Sequence, residues 1–335
     1  MSRLRLSKLC LAVAACGAVA LASGSLRAQS MTYIIGSQGI GGSYDTYSRL
    51  IANHLGRHLP GNPNIVPQNM PGAGSIRATN YLYNVAPKDG SVIGMIDQAI
   101  YLSQILGTPE LKADALKFNW IGRLLANTAV LFVASEAPVR TIEDTLATEA
   151  IISASGTASR LNWNLLNNVI GTKIKMISGY KGAAESRLAM ARGEIHGLSM
   201  PWPEIKLQAG NLLAEKKIVL LLQTGVDRHP ELQDLPRMID LARNEDDRQL
   251  IHLFSLPNSI GRSVVAPPGV PEARVAELRK AFDAAVKDPA FLADAERAKF
   301  EFDILPGEEL QKLVATSGNF PAALIERAQQ IAAAK

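Results

Sequence analysis

Three glycine- and hydroxyl-rich stretches hold the residues best suited to chemistry, and each stands at the start of a helical pattern. The first is Gly36-Ser37-Gln38-Gly39-Ile40-Gly41-Gly42-Ser43-Tyr44-Asp45. Glycines let a backbone approach a guest closely, and a helix start offers unpaired amides and the positive end of a dipole, so an anion is the expected guest. It is no nucleotide loop: a P-loop needs lysine where Gly42 stands, and the dinucleotide fingerprint needs glycine where Tyr44 stands. A plain strand-to-helix turn with Ser43 as N-cap also accounts for this motif. The second stretch, Ser153 to Arg160, adds the hydroxyls of Ser155, Thr157 and Ser159 around Gly156, and the Arg160 guanidinium, which can grip a carboxylate with two parallel hydrogen bonds. The third is Gly179-Tyr180-Lys181-Gly182, while Pro71-Gly72-Ala73-Gly74-Ser75 repeats the device without a charge.

Catalytic constellations are absent from the chain. It has no Gly-x-Ser-x-Gly elbow, and the close pair His54 and His58 lacks the glutamate of a zinc-protease helix. Those two histidines read as an exposed helix face. The only cysteines, Cys10 and Cys16, precede residue 28, leaving no thiolate nucleophile or cysteine-ligated metal beyond it. No cofactor and no metal are expected. Asp97, beside Gln98 at the end of an apolar strand, is placed either to bind a ligand hydroxyl or amine or to cap a helix. Trp202 either lines a cleft or packs between lobes.

The elements that must position these residues alternate between β-branched runs and segments of helical period, the pattern of α/β layering. Strands are expected at 32–36, 64–68, 92–96, 120–124, 129–134, 150–154, 173–177, 195–199, 217–223 and 264–266. Helices are expected at 43–57, 75–83, 142–147, 159–169, 183–191 and 272–286, with three more after Pro289, after Pro306-Gly307 and over 316–334. Extended crossings near 125–135 and 254–266 divide the chain into a first lobe of 29–126 with 255–335 and a second lobe of 127–254. Two lobes on two connecting strands permit hinge closure over a cleft. In open α/β sheets ligands gather beyond the carboxyl ends of the strands, so loops from both lobes should face one crevice.

The 335 residues are 47% apolar and 20% charged, a balance that supports sizeable cores and excludes a disordered chain. The formal charge of +4 invites a nucleic-acid reading, but four of the 35 basic residues lie in the acid-free first 28, and the remaining 31 meet 31 acids. No nucleic-acid partner is expected. Residues 1–28 have the layout of a secretory signal: Arg3, Arg5 and Lys8, then the apolar run Leu9 to Ala22, then small residues ending at Ala28. Export to the periplasm is the expectation. A less favoured alternative is lipid attachment at Cys16 after Val13-Ala14-Ala15.

Four motifs then occur in order: Asn69-Met70-Pro71-Gly72-Ala73-Gly74, Asn80 to Gly90 (Asn-Tyr-Leu-Tyr-Asn-Val-Ala-Pro-Lys-Asp-Gly), Gly179-Tyr180-Lys181-Gly182, and Val265-Ala266-Pro267-Pro268-Gly269-Val270-Pro271. In combination they resemble the substrate-binding proteins of tripartite tricarboxylate transporters, the Bug or TctC family. The resemblance implies a type II periplasmic binding protein fold, with two α/β lobes joined by two crossing strands around a cleft. It also implies a monomeric, non-catalytic protein that captures a small organic carboxylate and delivers it to a large and a small membrane subunit. By position it implies ligand contacts at Gly41, Gly42, Ser43, Tyr44 and Asp45, at Asp97 and Gln98, at Ser155, Gly156, Thr157, Ser159 and Arg160, and at Tyr180 and Lys181. Ser43-Tyr44-Asp45, Asp97-Gln98 and 155–160 depart from the commonest pattern of the family. A sensor docking to a membrane receptor, or an exported hydrolase, are the alternative functions.

Overall fold

The computed structural model describes residues 30–36, 41–154, 157–180, 182–316 and 320–334. The expected leader, Ser155, Gly156 and Lys181 lie outside the described residues.

Two sheets form, one for each expected lobe. The first has the order β11-β4-β10-β3-β1-β2. Its strands are β1 (Met31–Ile35), β2 (Ile65–Asn69), β3 (Val92–Met95), β4 (Asn119–Leu125), β10 (Arg262–Ala266) and β11 (Leu305–Pro306). β1 pairs in parallel with β2 and β3, while β10 lies antiparallel between β3 and β4. The second sheet, β7-β6-β8-β5-β9, is built from β5 (Ala129–Ala134), β6 (Ala150–Ser153), β7 (Ile174–Ile177), β8 (Gly197–Pro201) and β9 (Ile218–Gln223). Here β5 is the antiparallel member, between β8 and β9. β5 is the first strand after the chain leaves the first sheet and β10 the first after it returns, so each crossing delivers an antiparallel strand.

Helices cover the sheets because each strand alternates with a segment carrying one apolar face. α1 (Ser43–Leu55), α2 (Ile76–Asn84) and α3 (Ala99–Ile105) belong to the first lobe, and α4 (Thr157–Leu165), α5 (Ala183–Ala191), α6 (Trp202–Gln208) and α7 (Gly210–Ala214) to the second. α8 (Glu245–Ile260) runs between lobes, and α9 (Glu272–Ala285), α10 (Pro289–Arg297) and α11 (Gly307–Thr316) return to the first sheet. The first core sets Ile51, Leu55 and Ile93 against Phe282 and Phe291, all fully buried. Burying such a side chain stabilises by about 1.5–3 kcal/mol, so a handful of them fixes where α1, α9 and α10 lie. The second core centres on Trp163, Leu165 and Leu222.

Three findings correct the expectations. The crossing expected as extended chain near 254–266 is helical as far as Ile260, with Phe254 in the second core and Leu256 and Ile260 in the layer against the first sheet. Pro257, in the last turn, cannot donate to the Leu253 carbonyl, while its own carbonyl still accepts from the Gly261 amide at 3.0 Å. The final helix, α12 (Ala322–Ala333), buries Leu324, Ala328 and Ile331 in the second core although the chain before it belongs to the first lobe. His54 is not on an exposed face: it is 2% exposed, packs edge-on against Phe291 and pairs through Nε2 with Asp294 at 3.0 Å, tying α1 to α10.

Candidate functional site

The first glycine stretch leads into α1, with Gly41 at φ +85°, a conformation that costs an L side chain strain. Asp45, 3% exposed, turns back beneath this bend rather than toward the cleft. Its carboxylate accepts from the Gly41 amide (2.9 Å), Asn69 Nδ2 (2.8 Å) and Arg49 Nε (3.0 Å). Burial alone would raise its pKa, but the bonds from Arg49, Gly41 and Asn69 outweigh it and hold the group at about 2. Asp45, expected as a ligand contact, is thus occupied in fixing the turn at Gly41.

Tyr44 faces the other way, into the gap between lobes. Its hydroxyl accepts from the Gln98 amide at 3.0 Å, and its ring lies under the Arg262 guanidinium, 4.2 Å from ring centroid to Cζ. Arg262, 6% exposed, opens β10. It donates from Nε to Ser43 Oγ and from Nη1 to Gln98 Oε1, each at 3.0 Å. Gln98 in turn donates to Asn258 Oδ1 at 3.1 Å, and Asn258 to Thr224 Oγ1 at 3.3 Å. Ser43, Tyr44 and Gln98 are therefore locked around one cation by bonds that reach the second lobe. Asp97 caps α3 by accepting the Ala99 amide at 2.8 Å and also bonds the Tyr44 hydroxyl. Burial raises its pKa, and the Arg262 charge offsets part of that rise. Burial likewise raises that of Tyr44.

These groups line a cavity of about 160 Å³. Tyr44, Asp97, Gln98 and Arg262 come from the first lobe, Ala158, Leu161 and Asn162 from α4 of the second, and Asn127, Pro257 and Asn258 from the connections. Leu102 and Phe254 close its apolar side. Neither Asn127 nor Asn162 has a side-chain hydrogen bond among the described residues, so both amides remain available to a guest. A wider gap of about 640 Å³ opens on the other flank of Asn258, edged by Arg123, Lys206 and His229. Its cations are already engaged: Arg123 with Asp303 and the Ser259 carbonyl, Lys206 with Glu231 and Glu301, and Arg228 with Asp240 and the Leu235 carbonyl.

The cavity brings together Tyr44, Asp97 and Gln98 of the expected residues, with Ser43 directly behind Arg262. Gly41 and Gly42 shape the approach to α1 without lining it. Thr157 opens α4, and Ser159 and Tyr180 are not among the lining residues. Arg160, expected as a ligand contact, does not line this cavity: Nη1 reaches the Ala332 carbonyl of α12 at 3.4 Å, and the residue borders an adjoining surface hollow with Gln329. Trp202 packs within the second lobe, its indole donating to Glu231 at 2.7 Å. Sequence reasoning missed Arg262, Asn127, Asn162 and Asn258. The one local signal was an arginine at the head of a mostly apolar strand, Arg262-Ser263-Val264-Val265-Ala266. Among the described residues no cluster suits a metal ion, and no helix is long and apolar enough to cross a membrane.

Comparison with known proteins agrees with this architecture. A TctC solute-binding protein from Polaromonas, crystallised without ligand, superposes with a TM-score of 0.66 at 18% identity, covering 90% of this chain and 97% of that one. Rpa4515 of R. palustris, solved with adipate, gives 0.62 at 22% identity over 90% and 97%. MatC of Rhodopseudomonas palustris, with bound malate, gives 0.61 at 18% over 90% and 98%. At such identities the likeness establishes the fold. No curated protein matches the sequence. The sequence model described as the tripartite tricarboxylate transporter family receptor, TctC, matches residues 48–329, and with that span the chain belongs to the TctC family of solute-binding receptors.

Proposed function

We propose that the protein is exported to the periplasm, captures a small organic carboxylate in the cavity between its lobes, and hands it unchanged to the large and small membrane subunits of a tripartite transporter. One observation carries the reading: a buried guanidinium, Arg262, held by Ser43, Tyr44 and Gln98, stands in a cavity to which both lobes contribute. A carboxylate there would take a charge-assisted bond from a cation whose orientation is already set, so little ordering remains to be done on binding. Asn127, Asn162 and the start of α4 would complete its shell, and closure of the lobes would strengthen each bond by excluding water.

The test is calorimetric titration of the purified protein with mono-, di- and tricarboxylates and a neutral sugar. Saturable binding of an acid is expected, and Arg262→Met should weaken it by about 1.5–3 kcal/mol, the worth of a hydrogen bond to a charged group. Arg262→Lys keeps the charge but loses the fork, and should fall between the two. Silence toward every acid alongside binding of the sugar would overturn the reading. Co-purification with the membrane subunits in the presence of the acid tests the delivery step.

A further inference from the structure

The cavity's charge narrows the guest beyond "carboxylate". Among its described lining residues there is one cation, Arg262, and one acid, Asp97. They lie at the face and at the hydroxyl tip of the same Tyr44 phenol, and no ion pair joins them directly. A guest with two or three carboxylates would set its extra charges against Asp97, with no second cation among the described lining residues to receive them, at a cost that low local dielectric magnifies. The cavity encloses about 160 Å³. The remaining wall, Leu102, Leu161, Phe254 and Pro257, is apolar.

We infer that the ligand is a compact zwitterion of the amino-acid type, with one carboxylate on Arg262, an ammonium group directed to Asp97, and a short apolar side chain against Leu102, Leu161 and Phe254. This rests on the carboxylate reading above and makes Asp97 the residue that sets specificity. Its carboxylate accepts the Ala99 amide at Oδ1 and the Tyr44 hydroxyl, but no cation lies within ion-pair distance among the described residues, so its charge is left for an ammonium. The four amide side chains, Gln98, Asn127, Asn162 and Asn258, add dipoles but no net charge.

Matched pairs test it. The purified protein is titrated with alanine and propionate, valine and isovalerate, aspartate and succinate, and with citrate. The apolar amino acids should bind at least about tenfold more tightly than their deaminated partners, with citrate weakest. Asp97→Asn should bring that ratio close to one. Asp97→Ser, which also keeps a cap for the Ala99 amide, should do the same if the asparagine variant fails to fold. Tighter binding of succinate or citrate than of any amino acid would overturn the inference while leaving the carboxylate reading intact. So would an unchanged ratio in either folded variant. Silence toward every acid would remove the carboxylate reading itself.

Discussion

Two charged residues that resemble one another in sequence do opposite work. Asp45 and Asp97 each stand near the start of a helix after a glycine-containing strand end, yet Asp45 is consumed by Gly41, Asn69 and Arg49 while Asp97 remains at the cavity wall. Asp45→Asn should cost about 1–3 kcal/mol of stability at neutral pH by loosening the first loop. The sign with pH follows from its lowered pKa. The ionised form is favoured in the folded chain, so the contribution is complete above the ordinary aspartate range near 4 and fades as pH falls toward about 2. Thermal melts should show the wild-type advantage over Asp45→Asn shrinking between about pH 5 and pH 3. A constant advantage would mean that the carboxylate's charge is not what holds the loop. Arg160 and Arg262 could not be ranked from sequence for a related reason. Arg160 sat in a motif and Arg262 did not, but the chain passing over α4 takes up the first, and the pairing of β10 carries the second to the site.

At the scale of elements, runs with a pure period were legible. The expected ranges for β5 and α5 coincide with those observed, because 129–134 is a continuous apolar run and 183–191 has helical period between a glycine and a turn. α8 was not legible. Its first turn is Glu245-Asp246-Asp247 behind the cap Asn244, and its end contains Pro257 and Asn258, so no single apolar stripe announces it. Its termination is decisive for the site. Gly261 has φ +58°, and a Cβ there would stand 2.0 Å from the Leu125 carbonyl oxygen, so only glycine lets β10 begin beside β4 and aim Arg262 inward. Gly261→Ala should lose about 2 kcal/mol or more from strain at this conformation and weaken ligand binding together with it. Ser263→Ala, one residue beyond Arg262, removes only the hydroxyl bond to Ile260 and should leave affinity within about threefold. Denaturant melts paired with titrations separate the two outcomes.

The whole molecule couples its lobes at more places than the two connecting segments. α12 docks on the second lobe through Leu324, Ala328 and Ile331, and on the opposite flank Lys206 of α6 bonds Glu231 of its own lobe and Glu301 of the first, each at 2.7 Å. The α/β class was readable from the repeated alternation of strand and helix, and the two lobes from the expected crossings near 125–135 and 254–266 together with the family resemblance, although the second crossing is helical to Ile260. The docking of α12 was not, since an alanine-rich helix offers no sign of which core it will enter. Because Lys206–Glu301 spans the gap, Lys206→Met should shift the ligand-free protein toward open forms, seen as a larger radius of gyration in solution scattering. An unchanged radius would limit this pair to a surface role. The most direct measurement of the account is a crystal structure with the tightest-binding acid from the titrations. It should place a carboxylate within about 3 Å of the Arg262 guanidinium, between Tyr44 and α4. A ligand seated instead in the wider gap beside Arg123 and His229, with the Arg262 cavity holding only water, would contradict it.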